Sequence, residues 1–266
     1  MYEEFLENIA QKNGLGEVNT YLKLTAGLGG ILLCLVSTSF IAPLFIAAIL
    51  SIAVLVLARV SARIYVEIFV MPFLFAAMSV FTIVLVSGGG EVFWRWNPLP
   101  WLMLSVTRES INQGFFVFCR FLGAMSAMIF ISLTTPMTDL FVAMRRCRVP
   151  QVVLDLAMMI YRTIFIIMDQ LVQTYRAQQM RLGYSSFRES IRSFAVLCGS
   201  VFIASWDAGD DLVRAMDARC YQGKFAIMGD TRPVEYKSAL AVVLFLGFAS
   251  LIVIFTGNLS ILQVLP

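Results

Sequence analysis

Arg181 and Arg219 are the residues whose type and placement most readily do chemistry in this chain. Each closes a run that reads as helix, Met180-Arg181-Leu182-Gly183-Tyr184 and Ala218-Arg219-Cys220-Tyr221-Gln222-Gly223, and the two stand 38 positions apart. The chemistry is recognition. A planar guanidinium holds a carboxylate with two parallel hydrogen bonds, so two such ends suit two equivalent acidic grooves on a dimeric partner. The plainer role is that of a basic residue at a helix C-terminus, where it complements the dipole and the free carbonyls, with Gly183 and Gly223 as the helix stops.

Other chemistries find little to work with. Histidine is absent, which removes the commonest metal ligand and the side chain that titrates nearest neutrality. The five cysteines are scattered singly, without metal-ligand spacing, and read as small apolar packing residues. Asp207, Asp210 and Asp211 could bind a divalent cation, but acids opening a helix account for them equally, and Asp210 with Arg214 has the spacing of a helical ion pair. Asp217-Ala218-Arg219 with Gly223 faintly resembles the signature of intramembrane alcohol phosphotransferases, yet the later aspartates of that pattern are missing. Gly223-Lys224 fails the phosphate-loop pattern at both ends, with Ala218 and Phe225 in place of its glycine and hydroxyl residue. The Gly14-x-Gly16 and Gly27-x-Gly29 pairs lack a third glycine in register. The fourteen methionines suit packing between helices better than a path for a soft metal.

The elements that must carry the two arginines follow from composition. Of 266 residues 59% are hydrophobic and 14% charged. With a mean hydropathy of +0.83 the chain has more apolar surface than a soluble core of this size could hide. A net charge of +3 does not suggest nucleic acid. The expected fold is all-α: a polytopic membrane protein with about five transmembrane helices and a cytoplasmic or interfacial domain of about three amphipathic helices. Residues 1–21 form a polar cytoplasmic segment, not expected to be a cleaved leader because it lacks a basic start. Residues 22–136 hold four membrane helices, with runs at 22–40, 43–58, 67–86 and 114–133. Pro72 lies near the entry of the third run, and the Trp- and Pro-rich stretch 91–113 suits the headgroup layer. Arg120, inside the fourth, is the one intramembrane charge, expected to snorkel or to pair with a helix.

Residues 137–237 hold 13 of the 20 Lys/Arg and 10 of the 17 Asp/Glu, and residues 238–266 the last span and a short outer tail. Short loops rich in Lys/Arg stay cytoplasmic, which places the N-terminus and this block inside. Asp155, Arg162, Asp169 and Arg176 recur every seven residues along one face of a long helix, argued to be amphipathic, with its charged stripe toward water or a partner. Phe194–Trp206, too short to cross, reads as the buried face of a second helix packed on the first, and a third begins near Asp207.

The segments Leu133-Thr134-Thr135-Pro136-Met137-Thr138-Asp139-Leu140, Arg145-Arg146-Cys147-Arg148-Val149-Pro150, Tyr161-Arg162 with Asp169-Gln170, Ala177-Gln178-Gln179-Met180-Arg181-Leu182-Gly183-Tyr184 and Met216-Asp217-Ala218-Arg219-Cys220-Tyr221-Gln222-Gly223 occur in that order. Together they resemble the transmembrane coupling subunit of energy-coupling-factor importers, of the cobalt type called CbiQ, over essentially the whole chain. The resemblance implies a non-catalytic scaffold joining two cytoplasmic CbiO-like ABC ATPases to a CbiM-like substrate-capture membrane subunit, with a small accessory membrane subunit as a further partner, in the plasma membrane of a prokaryote. ATP and magnesium would be bound by the ATPases, so the chain itself is expected to carry no cofactor and no metal site. It implies that Arg181 and Arg219, with Met180, Gly183, Ala218 and Gly223, dock in grooves of the ATPases, and that Asp155, Arg162, Asp169, Arg176 and Asp217 support the helices that carry them. Two departures stand out: Met180 and Leu182 flank the first arginine, and Cys220 takes the usual glycine place after the second.

Cobalt or nickel is the expected cargo, with a shared coupling subunit for vitamin import as the alternative. A stand-alone secondary transporter would need inverted repeats and broken helices at mid-membrane, and an intramembrane enzyme a catalytic pair inside the spans.

Overall fold

The structure, a computed structural model, describes residues 13–16, 18–86, 92–99, 102–221 and 234–256. It divides into two compact units, residues 1–140 with 231–266 and residues 141–230. The expectations placed on 1–12, Gly223 and the outer tail from 257 onward lie outside the described residues.

In the first unit, helix α1 (Thr20–Val36) is capped by Asn19, whose side chain accepts from the Tyr21 amide at 2.9 Å. Helix α2 (Ile41–Ile52) runs on into one π-helical turn, Ala53–Leu57. Arg59 then turns the chain with φ 54°. Helix α3 (Ala62–Val86) holds Pro72 in its interior, as the eleventh of its 25 residues. The expected position near the helix entry is therefore corrected, because helix geometry begins well before the apolar run does. Strands β1 (Val92–Leu99) and β2 (Leu102–Thr107) pair antiparallel, where an irregular headgroup loop was expected. Helix α4 (Arg108–Thr134) opens on a reciprocal cap between Thr107 and Ser110, and helix α8 (Tyr236–Phe255) closes the unit.

The core of this unit joins α1, α2, α4 and α8 through residues such as Cys34, Ile46, Leu50, Val54, Ala127, Phe130 and Ala249. Small residues let the backbones approach, as membrane helices require where lipid is as apolar as the core. A Cβ on Gly123 would lie 2.7 Å from the Pro43 carbonyl oxygen and 2.6 Å from the Cys34 sulfur, so α4 and α2 could not pack as they do around any larger residue. Arg120 stands near the middle of α4. It donates to the carbonyl of Ser37, the residue that caps the C-terminus of α1, and lies 4.5 Å from the centre of the Phe116 ring. This is helix pairing, one of its two expected roles.

The second unit contains helices α6 (Gln151–Met180) and α7 (Phe187–Ala218) and the latter part of α5 (Met137–Arg146). Among the described residues three helices thus occupy the block where three were expected, but not the same three. Phe187–Ala218 is one continuous helix of 32 residues, so no third helix begins at Asp207. Asp207, Asp210 and Asp211 sit in its middle, exposed, where no helix dipole favours them, and Arg214 pairs with Asp211 at 3.7 Å rather than with Asp210. Phe194 and Trp206 are also exposed, which corrects the expected buried face; Leu197 is the buried residue of this stretch. The stripe on α6 is exposed at Arg162, Asp169 and Arg176 but buried at Asp155.

Five described helices are long and apolar enough to cross a membrane: Ala62–Leu85, Arg108–Thr134, Gln151–Met180, Phe187–Ala218 and Tyr236–Phe255. Thr20–Val36 and Ile41–Leu57 are apolar but shorter. At about 1.5 Å per residue they lie at the lower limit for a hydrocarbon layer about 30 Å thick. The protein is an all-α, multi-pass membrane protein with one short β-hairpin.

Candidate docking site

The two arginine-bearing helix ends share one backbone. Helix α6 ends at Met180, and Arg181 follows at φ −93°, ψ 14°. Helix α7 ends at Ala218, and Arg219 follows at φ −94°, ψ 11°. The next residue in each case is left-handed: Leu182 at φ 57° and Cys220 at φ 52°. The amides close both turns in the same way. Leu182 donates to Gln179 and Gly183 to Gln178, while Cys220 donates to Asp217 and Tyr221 to Met216. This is the Schellman arrangement, which satisfies the last carbonyls of a helix. Glycine usually takes the left-handed place, yet here leucine and cysteine hold it.

Gly183 is therefore not the helix stop expected from its type. Its place is set by close approach: a Cβ there would lie 2.8 Å from the Ser193 hydroxyl oxygen and 3.1 Å from the Gln178 carbonyl oxygen. Ser193, one turn and a half into α7, donates to the Gly183 carbonyl at 2.7 Å and so ties the end of α6 to the following helix. Tyr184 donates to the Gln178 side chain at 2.8 Å, and its ring centre lies 5.0 Å from that of Tyr175. Partial desolvation holds the Tyr184 phenol above its ordinary value, with Tyr175 and Cys198 adding to the effect, so it remains a neutral donor.

Beside Arg181 lies a cavity of about 230 Å³ lined by Gln178, Arg181, Gly183, Arg192, Ser193 and Val196. Both guanidinium groups belong to exposed residues, and neither forms an ion pair among the described residues. Around the second end, Asp155 is 4% exposed and neither of its carboxylate oxygens has a hydrogen-bond partner. Desolvation raises the Tyr221 phenol in the turn that follows Arg219, and the Asp155 charge raises it further. Met180 is 87% exposed, and Ala218 and Asp217 are exposed with it. Arg162 and Asp169 lie along α6, away from both turns in sequence, Arg176 stands five residues before Arg181, and no described ion pair links any of them to either arginine.

No group of three or more His, Cys, Asp or Glu side chains among the described residues could hold a metal ion. What the two ends offer is a projecting cation on a rigid turn, presented twice.

The family model for CbiQ, described as cobalt transport protein, matches residues 11–229. The chain belongs to the CbiQ family. A fused cobalt transport protein named CbiMQ, from Methanocorpusculum labreanum, is 34% identical over 244 residues, 92% of this chain; the match spans only 41% of that longer protein. An uncharacterized protein of Methanocaldococcus jannaschii, MJ1089, is 33% identical over 92% of this chain and 91% of its own length. The energy-coupling factor transporter transmembrane protein EcfT of Lacticaseibacillus paracasei is 30% identical over 151 residues, 53% of this chain and 55% of its own. Among CbiQ-family chains, then, this one is a transmembrane component of the energy-coupling-factor type.

Proposed function

We propose that this CbiQ-family chain is the coupling subunit of an ATP-driven importer for cobalt or nickel ions, and is itself without catalytic activity. The observation that carries the reading is the pair of matching turns that present Arg181 and Arg219. A dimeric ATPase has two equivalent grooves, and two copies of one backbone answer that symmetry. Guanidinium on carboxylate then supplies a directional, two-bond contact at each. ATP and magnesium sit in the ATPases, and closing of that dimer displaces the arginines, with α6 and α7 as the levers. Asp155, Arg162, Asp169, Arg176 and Asp217 support those levers.

The fused name CbiMQ favours a CbiM-like capture subunit as the membrane partner. The distribution of Lys and Arg favours an orientation with the N-terminus and residues 137–237 in the cytoplasm, and the organisms of the relatives favour a prokaryotic plasma membrane. In this reading α6 and α7 are not independent spans, since Asp155, Arg162 and Asp169 on α6 would each cost about 2.5 to 3.5 kcal/mol at the centre of a lone membrane helix. A second reading, a coupling subunit shared among vitamin importers, is favoured by the likeness to EcfT.

The test is co-purification of a CbiO-like ATPase with the full chain in detergent. Arg181→Glu combined with Arg219→Glu is expected to abolish it, and retention of the ATPase by the double variant would contradict the reading. Metal analysis of the intact importer, against uptake of labelled vitamins, separates the two cargoes.

A further inference from the structure

The two turns match in backbone and differ in what surrounds them. Between 176 and 192 stand four arginines, Arg176, Arg181, Arg188 and Arg192, against the single acid Glu189. Between 207 and 219 stand four aspartates, Asp207, Asp210, Asp211 and Asp217, against Arg214 and Arg219. The first end also has the cavity whose lining includes Arg181, Arg192, Gln178 and Ser193.

From this we infer that the cavity beside Arg181 is a two-arginine seat for a carboxylate side chain of the partner ATPase, so that the arginine-rich first end carries the larger share of the charge-driven grip. The inference rests on the coupling reading and adds Arg192 to it as a binding residue. A carboxylate has two oxygens and about four lone-pair sites, more than one guanidinium fork occupies. A second cation lining the same cavity can take the remaining sites, and the Gln178 side chain, whose oxygen accepts from Tyr184, keeps its NH2 as a further donor. No acidic side chain lines the cavity, so an entering carboxylate meets no like charge there.

At the second end the opposite holds. Arg219 stands two residues from Asp217 and beside a turn that feels the charge of Asp155, so an acidic groove approaching it gains less. The first end should therefore carry most of the salt-sensitive affinity, and the second should depend more on shape. Arg192 is exposed and forms no ion pair among the described residues, so its replacement leaves the fold in place.

The experiment measures binding of a purified CbiO-like ATPase to the full chain in lipid nanodiscs, across a range of sodium chloride concentrations. Arg192→Gln is expected to weaken binding roughly tenfold and to flatten its dependence on salt, with Arg192→Lys restoring part of both. Arg214→Gln, the matching loss of one arginine near the second end, is expected to change neither. If the wild-type chain binds but Arg192→Gln binds equally well with the same salt dependence, the seat is wrong while the coupling reading stands. If the wild-type chain does not bind, the coupling reading itself fails.

Discussion

Arg181 and Arg219 occupy the same position in the same hydrogen-bonded turn, with backbone angles that agree within a few degrees. In both cases the residue that follows, Leu182 or Cys220, is left-handed, a conformation that costs an L-residue about 1 to 2 kcal/mol. Leu182 is 76% exposed, so its side chain offsets little of that cost within the chain. Leu182→Gly and Cys220→Gly are each expected to stabilise the protein by about 1 kcal/mol, read as a higher midpoint of thermal unfolding in detergent. A lowered midpoint would mean that these side chains contribute more to the fold than their exposure implies.

Gly183 is held by contact rather than by its φ. Adding one methyl group in Gly183→Ala brings it against Ser193 and the Gln178 carbonyl, and is expected to cost about 1 to 3 kcal/mol. Gly183→Ala with Ser193→Ala should recover part of the loss by opening the side-chain contact, although the bond from Ser193 to the Gly183 carbonyl goes with it. Hydrogen exchange at the Gly183–Ser193 link reads both. Equal protection in wild type and Gly183→Ala would refute the close approach.

Lys23 reaches the far end of another helix. Its ammonium donates to the carbonyl of Thr134 at 3.0 Å while only 2% of the residue is exposed, and Asn13 donates to the carbonyls of Leu133 and Thr134 at 3.1 Å each. Pro136 has no amide to continue α4, so the carbonyls at its C-terminus need such donors. Lys23→Met keeps the apolar stem and removes one of the two donors to the Thr134 carbonyl, Asn13 remaining, at an expected cost of about 1 kcal/mol. The drop in thermal midpoint measures it, and an unchanged midpoint would contradict the role.

The periodicity and the apolar runs made α3, α4, α8 and the two arginine ends legible, because each is written in local sequence. The pairing of Lys23 with Thr134 was not, since 111 positions separate the partners. Helix α7 was misread because Asp207, Asp210 and Asp211 look like acids opening a helix; the chain has no proline there to break it, and the helix simply continues. Residue type points to Gly183 and Gly223 as the helix stops, whereas the left-handed place falls on Leu182 and Cys220, one residue after each arginine, whatever stands there. The hairpin after α3 was hidden by tryptophans and prolines that equally suit a headgroup loop.

Asp155 buries a carboxylate with no hydrogen-bond partner beside Tyr221. Asp155→Asn removes the second cause of the raised Tyr221 phenol and leaves the first, desolvation, in place. The Tyr221 value should therefore move back toward the ordinary phenol range without reaching it. A phenol held above its unfolded value contributes stability that is present below that value and is lost as pH rises through the folded one. The variant should thus lose that contribution at lower pH than wild type. Ultraviolet titration of tyrosinate, with Tyr221→Phe to identify the signal, follows the shift. No change would separate the two residues.

Cys220 gives the most direct test of the docking proposal, because it is exposed and adjoins Arg219 in the turn. In a Cys147→Ser, Cys198→Ser background the remaining cysteines, Cys34 and Cys119, are buried, so an impermeant maleimide reports Cys220. In membrane vesicles the account predicts labelling from the cytoplasmic face, suppressed when a CbiO-like ATPase is bound. Labelling from the outer face, or labelling unchanged by the bound ATPase, would contradict it.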